Sequence, residues 1–390
     1  MNMRVPACCA GLALAMGCGV ANAQATFQMR VGGDALFEGA YISQDNDAGL
    51  RSTEFRNRVR LNFLPSAKAD NGLEYGARMR IRASNGDRTT DADRVVLYAA
   101  GSFGRVDLGV RNSYNDDVMP SFMRPSDFQP VGITDPGITW VTAGNATAGT
   151  TKLDPLSFGS QPASTATTQG LPIGDISTKF IYTSPKLSGF QAGFSYTPHS
   201  ASSDTDVNRL QGPTGAGAGT LQDVWEINLN YSGEFDGVAV RVGAGYIGGA
   251  YEDSGTTAFE PLRGVQVGGQ IGYAGFILGG GYLGYGKSGL AKTAAFKDDY
   301  TVWNVGLQYT TGPLILGVGY TWGQDAGDVR FAGNREQDYY TAGVSYQAAP
   351  GLRVALEYSF YNFEVQDTNV APSSRKVDSN IVMARSLLSF

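Results

Sequence analysis

Two short stretches carry arginine at every second position. In Glu54-Phe-Arg-Asn-Arg-Val-Arg-Leu-Asn-Phe63 these are Arg56, Arg58 and Arg60. Phe55, Val59, Leu61 and Phe63 alternate with them, and Asn57 is the polar exception. In Leu73-Glu-Tyr-Gly-Ala-Arg-Met-Arg-Ile-Arg82 the set is Arg78, Arg80 and Arg82, interleaved with Tyr75, Ala77, Met79 and Ile81. Period two means β-strand, here with one apolar and one cationic face. In a soluble sheet the apolar face would meet a core. In a membrane barrel it meets lipid and the arginines line a lumen. Arginine facing lipid costs about 2–4 kcal/mol at the bilayer midplane, so in a barrel all six must point inward. Like charges at cross-strand spacing repel. Water in a lumen and carboxylates on a loop would compensate them, and arginines standing in water would lose no packing when neutralised.

The first 23 residues read as a secretory signal. Arg4 supplies a positive start, Pro6–Val20 is apolar or small, and Ala21-Asn22-Ala23 fits the cleavage rule. The apolar run is shorter than the roughly 20 residues a spanning helix needs. Cys8, Cys9 and Cys18 all lie there, so the expected mature chain, 24–390, has no thiol for disulfides, metal or nucleophilic chemistry. The net charge of −6 does not suggest a nucleic-acid partner. Charged residues make up 17% of the chain, and glycine reaches 53 residues. Soluble domains carry about 25% charged residues. Low charge without a long apolar run is what a barrel shows, because only alternate residues meet lipid.

Alternating segments continue to the end of the chain, sixteen in all, from Phe27–Ile42 to Ile381–Phe390. The fourth begins at Arg94. Short turns such as Gly101-Ser102, Ser184–Gly189 and Ala274-Gly275 alternate with longer polar loops near 43–53, 83–93, 198–222, 251–262, 287–299, 323–337 and 365–377. The third long connection, 113–176, exceeds all others. This rhythm predicts an all-β fold: a 16-stranded antiparallel transmembrane barrel with turns at one end and loops at the other. Aromatics near segment ends, among them Tyr196, Trp225, Trp303, Tyr346 and Tyr358, suit an interfacial girdle. Most aromatics share the lipid-facing parity, with Tyr98 and Tyr361 as exceptions. Phe390 ends the chain, on one face with Leu388, Ala384 and Val382.

The run Phe180-Ile-Tyr-Thr-Ser-Pro-Lys-Leu-Ser-Gly-Phe-Gln-Ala-Gly-Phe-Ser-Tyr-Thr-Pro198 resembles the α-proteobacterial outer-membrane porins. Phe103-Gly-Arg-Val-Asp-Leu-Gly-Val-Arg111 is similar to the fifth strand of that family. With the signal segment, the strand count and the terminal Phe390, the whole mature chain resembles the Gram-negative general diffusion porins. The resemblance implies a homotrimer in outer-membrane lipid that passes small hydrophilic solutes and ions. It implies a third loop, 113–176, folded into the lumen. There, acidic Asp116, Asp117, Asp127 and Asp135 would face a basic wall of Arg56, Arg58, Arg60, Arg78, Arg80, Arg82 and Arg111. It also implies that Phe390 serves as an assembly signal. The loop departs from the family in its length and its Ala/Gly/Thr-rich middle.

Other readings compete. Gly281-Tyr-Leu-Gly-Tyr-Gly-Lys287-Ser288 matches a phosphate-binding loop formally, but it continues a period-two pattern where such a loop must open a helix. His199, beside Ser200, Asp204 and Asp206, could suggest a hydrolase barrel; at the start of a polar loop it reads as a solvated histidine. No cofactor is expected. Ca²⁺ at Asp45/Asp47, Asp116/Asp117 or Asp298/Asp299 is the one option. A substrate-specific channel would need a file of lumen-facing aromatics. The expected activity is therefore passive, not enzymatic.

Overall fold

The computed structural model describes residues 26–45, 50–83, 90–112, 114–120, 177–200, 221–253, 257–326, 329, 332–365 and 376–390. The expected signal segment, and all of 113–176 except 114–120, lie outside that set.

Among the described residues, sixteen strands close into one barrel in chain order. They are β1 Gln28–Gln44, β2 Thr53–Lys68, β3 Glu74–Ala83, β4 Thr90–Gly101, β5 Gly104–Val110, β6 Thr178–Thr183, β7 Phe190–His199 and β8 Leu221–Phe235. There follow β9 Val238–Tyr251, β10 Leu262–Tyr273, β11 Phe276–Gly286, β12 Tyr300–Thr311, β13 Leu314–Asp325, β14 Arg335–Ala349, β15 Leu352–Val365 and β16 Lys376–Ser389. Each is antiparallel to the next, as short turns require. One five-residue helix, α1 (Tyr114–Val118), follows β5.

The expected parity holds around the wall. Phe55, Leu97, Leu229 and Leu278 are each more than half exposed on the outside, where a soluble protein would bury them. Their neighbours Val96, Asn228 and Gly279 are buried on the inside. Trp225, Trp303, Tyr196, Tyr346 and Tyr358 are exposed on the outer surface, as the girdle reading expects.

Two local features depart from the sequence reading. First, β4 begins at Thr90, inside a stretch expected to be loop. Its pairing with β3 jumps from Arg80↔Arg94 to Ile81↔Ala92 and skips Asp93. This bulge turns Asp93 and Arg94, successive residues, both inward, at 3% and 6% exposure. Second, the inward aromatics are more numerous than expected. Tyr361 is joined by Tyr251, Tyr285, Tyr300, Tyr339 and Phe363, all buried toward the end of the barrel that carries the long connections.

The barrel closes where β1 meets β16, from Asp34↔Ser389 to Gln44↔Ser379. Phe390 extends that seam. The Gly33 N–H donates to the Phe390 carbonyl at 2.8 Å, and the Phe390 N–H donates back at 3.1 Å. A methyl group on Gly33 would overlap the Arg60 carbonyl of β2, so glycine is what lets β1 and β2 approach closely beside the seam. Deleting Phe390 removes both bonds and the aromatic end. Insertion into the outer membrane should slow, read as delayed appearance of the heat-modifiable folded band. Unchanged kinetics and yield would count against a role for Phe390 in assembly.

Candidate constriction site

The wall formed by β1–β5 holds most of the lumen's charge. Arg56, Arg58 and Arg60 on β2 are half-buried between exposed Phe55, Asn57 and Val59, so they face the lumen. On β3, Arg78, Arg80 and Arg82 flank exposed Met79 in the same way. Arg60 stands directly opposite Arg82 across the ladder. Arg94 from β4, Arg105 from β5 and Arg111 just beyond β5 extend the row.

The guanidiniums are not left to water. Carboxylates on the neighbouring strands answer them. Arg80 binds Asp93 through two bonds, Nε to Oδ1 at 2.7 Å and Nη2 to Oδ2 at 2.5 Å. Two-pronged pairing of this kind is the strong form of the arginine–carboxylate contact. Arg82 Nε reaches the same carboxylate at 3.2 Å and Arg94 Nη1 at 3.7 Å. One buried aspartate, delivered by the bulge, thus gathers three arginines. Glu38 on β1, with no exposed side-chain surface, bridges Arg56 and Arg385 and so spans the barrel seam. Asp34 takes Arg58 at 3.2 Å. Asp107 takes Arg105 at 2.7 Å and Arg111 at 2.8 Å. Arg105 also lies over the Tyr98 ring, 4.0 Å from its centroid, a cation–π contact. Arg78 differs: its Nε donates to the neutral Asn62 Oδ1 at 3.0 Å.

This arrangement revises the expectation that these arginines stand in water. The Arg80 side chain is only 13% exposed and Arg58 21%. Neutralising Arg80 therefore disturbs a buried ion cluster, and its effect is not confined to selectivity. The partners Asp34, Glu38, Asp93 and Asp107 were missed by the sequence reading. Three of them lay within view: Asp34 and Glu38 share the inward parity of β1, and Asp107 that of β5.

On the acidic side, Asp117 of α1 meets the wall. Its Oδ2 accepts Arg111 Nε at 2.9 Å, and its Oδ1 accepts Asn112 Nδ2 at 3.0 Å. Asp116 is in α1, but its side chain lies outside the described residues, as do Asp127 and Asp135 entirely. α1 also contacts β7, β8 and β9. Asn115 Nδ2 donates to the Tyr246 carbonyl at 3.2 Å, and the Tyr114 N–H donates to Glu226 Oε2 at 2.6 Å. Tyr114 is buried, and burial pushes its phenol above the ordinary tyrosine value.

A family model described as Gram-negative porin matches residues 10–366. The chain belongs to the Gram-negative porin family. It is an outer-membrane β-barrel channel protein. No curated protein matches it. Among solved structures, an in-vitro folded OmpT of Vibrio cholerae, described as a trimer form, is 11% identical with a TM-score of 0.60. That match covers 94% of this chain and all of the other. An engineered variant of Rh. blastica porin is 16% identical with a TM-score of 0.54, covering 93% of this chain and 100% of that one. At these identities the likeness speaks for the fold.

The porin's remaining motifs settle as follows. Gly281–Gly286 runs within β11, paired antiparallel with both β10 and β12, and opens no helix. It is therefore a strand and not a phosphate cradle. His199 ends β7 and is 5% exposed, so it is not the solvated loop residue expected. Its Nε2 stands 3.8 Å from Glu252. Asp204 and Asp206 lie outside the described residues, and so does Asp47. Among the described residues no three His, Cys, Asp or Glu side chains converge as a metal site would require.

Proposed function

We propose that this porin is a general diffusion channel for small hydrophilic solutes and ions, working as a homotrimer and without enzymatic activity. The observation that carries the reading is the Arg111–Asp117 contact. It places a carboxylate of the third connection against the end of the inward arginine wall, and so supports a narrow zone bounded by opposite charges. Such a zone orients dipolar solutes and disfavours apolar ones, which cannot replace the hydrogen bonds of the water they displace. Because most wall arginines have carboxylate partners, the net field is modest and ion selectivity should be weak. The trimer form of the Vibrio barrel supports the assembly state. A hydrolase reading gains nothing from His199, since the neighbouring Ser200 Oγ accepts the Leu221 amide at 3.1 Å and the pair to His199 is Glu252.

The buried inward tyrosines favour a second reading, a channel with preference for solutes carrying an apolar ring. One experiment separates the two. Purified trimers in liposomes should swell in neutral sugars at rates that fall smoothly with solute size, and planar-bilayer conductance should rise linearly with salt. Saturation of flux with one solute class would favour the specific channel. No conductance from folded protein would overturn both.

A further inference from the structure

We infer that Glu226 on β8, together with Gly193, Gly243, Gly245 and Gly268 on the inner faces of β7, β9 and β10, positions α1 and thereby sets where Asp117 meets the arginine wall. The inference rests on the constriction reading above and names what holds that constriction in place.

The support is a set of contacts between α1 and the inner faces of β7–β9. A five-residue helix has too few internal bonds to stand alone. α1 is tied at its near side by Arg111 and Asn112, which both bond Asp117. Its far side is tied to a different part of the barrel. Glu226 faces inward and is 2% exposed. Its Oε2 accepts the Tyr114 N–H and the Ser195 hydroxyl, each at 2.6 Å. Asn228, one inward position along β8, donates to Asn115 Oδ1 at 3.1 Å. A buried carboxylate needs such donors, and here one donor is the backbone of the segment it would hold.

The glycines supply the room. Gly193 pairs with Asn228, Asn228 with Gly245, and Gly243 with Gly268, so the four line one patch of wall. A methyl group on Gly193 would overlap the Tyr114 ring, and one on Gly268 would overlap the Pro120 carbonyl. One on Gly245 would stand 2.6 Å from Asn115 Oδ1. One on Gly243 would overlap Asn230 Oδ1 of β8 first, and would stand 2.9 Å from Pro120 Cδ and 3.2 Å from Met119 Sδ. None of the four has a positive φ, so the strand conformation itself would accept any residue. Glycine weakens a strand, and its use at Gly193, Gly245 and Gly268 is explained by the close approach of residues 114–120.

The test combines a position readout with a selectivity readout on the full-length protein. The chain's three cysteines all precede residue 24, so a new pair can be read cleanly. Asn115→Cys with Asn228→Cys, whose native side chains touch at 3.1 Å, should form a disulfide on mild oxidation. Adding Glu226→Ala should strongly reduce its yield, and Glu226→Gln, which keeps an acceptor oxygen, should reduce it less. In planar bilayers under a KCl gradient, Gly268→Ala changes no charge. It should nevertheless shift the reversal potential toward anions, in the same direction as Asp117→Asn. Asp117→Asn added to Gly268→Ala should then shift it less than Asp117→Asn does alone. Disulfide yield unaffected by Glu226→Ala would overturn the positioning role. So would an Asp117→Asn shift that Gly268→Ala does not reproduce in folded barrels. If Gly268→Ala does not fold, the Glu226 series decides. If the disulfide behaves as expected but Asp117→Asn shifts nothing, the positioning stands and the constriction reading falls.

Discussion

Replacing Asp93 should change this porin more than replacing any single arginine. Asp93 is fully buried and lies within ion-pair distance of Arg80, Arg82 and Arg94. Asp93→Ala leaves three guanidiniums facing one another without their shared counter-charge. Removing one partner of a buried ion pair costs about 3–5 kcal/mol, and the lumen water that can reach Arg82 places the expected loss in the lower part of that range. Selectivity should move as well. One elementary charge changes the energy of an ion passing roughly 7 Å away by about 0.6 kcal/mol at water's dielectric, about threefold in local concentration. Anions gain by that factor and cations lose by it, most clearly at low salt, where screening is weakest. Reversal potentials in a salt gradient and urea unfolding of the folded barrel measure the two effects separately. An unchanged potential would mean that the Asp93 cluster lies away from the conducting path. Unchanged stability would mean that the bulge does not depend on the cluster.

The contrast between Asp93 and the arginines also shows where sequence reasoning ends. The inward direction of Arg56, Arg58, Arg60, Arg78, Arg80 and Arg82 was legible because strict alternation survives through β2 and β3. The sixteen strands were legible for the same reason, and their closure followed from the alternation of turns and loops. Asp93 was not legible. It sits one residue from Arg94, and period two assigns neighbours to opposite faces; only the bulge at Ala92–Arg94 brings both inside. The buried tyrosines were hidden differently. Tyr285, Tyr300 and Tyr339 lie near strand ends, where aromatics are also expected at the lipid interface, and single-residue parity there depends on the strand boundary. The anchoring of α1 could not be read at all. Tyr114 and Glu226 are 112 residues apart, and only barrel closure brings them together.

Arg78 and Arg80 lie two residues apart on the same face, yet their neutralisation should differ in stability far more than in selectivity. Arg80 contributes two bonds to a carboxylate with no exposed surface. Arg80→Gln leaves Asp93 with Arg82 and Arg94 but without its two-pronged partner. A buried acceptor stripped of a partner costs about 1–3 kcal/mol. The lumen loses one elementary positive charge whether or not a carboxylate stood beside it, so cation permeability should rise. Arg78 bonds neutral Asn62, and three of its four charged neighbours, Arg80, Arg111 and Arg94, are cationic, the fourth being Asp117. Arg78→Gln therefore relieves more repulsion than attraction, breaks no direct bond to a carboxylate, and keeps an amide able to bond Asn62. Stability should change by less than about 0.5 kcal/mol. Arg78→Gln too removes one elementary charge, so cation permeability should rise about as much as in Arg80→Gln. The pair can be read in one series of bilayer and unfolding measurements on otherwise identical trimers. Equal stability losses in the two variants would mean that the Arg80–Asp93 pair contributes nothing beyond the single bond that Arg78 makes to Asn62.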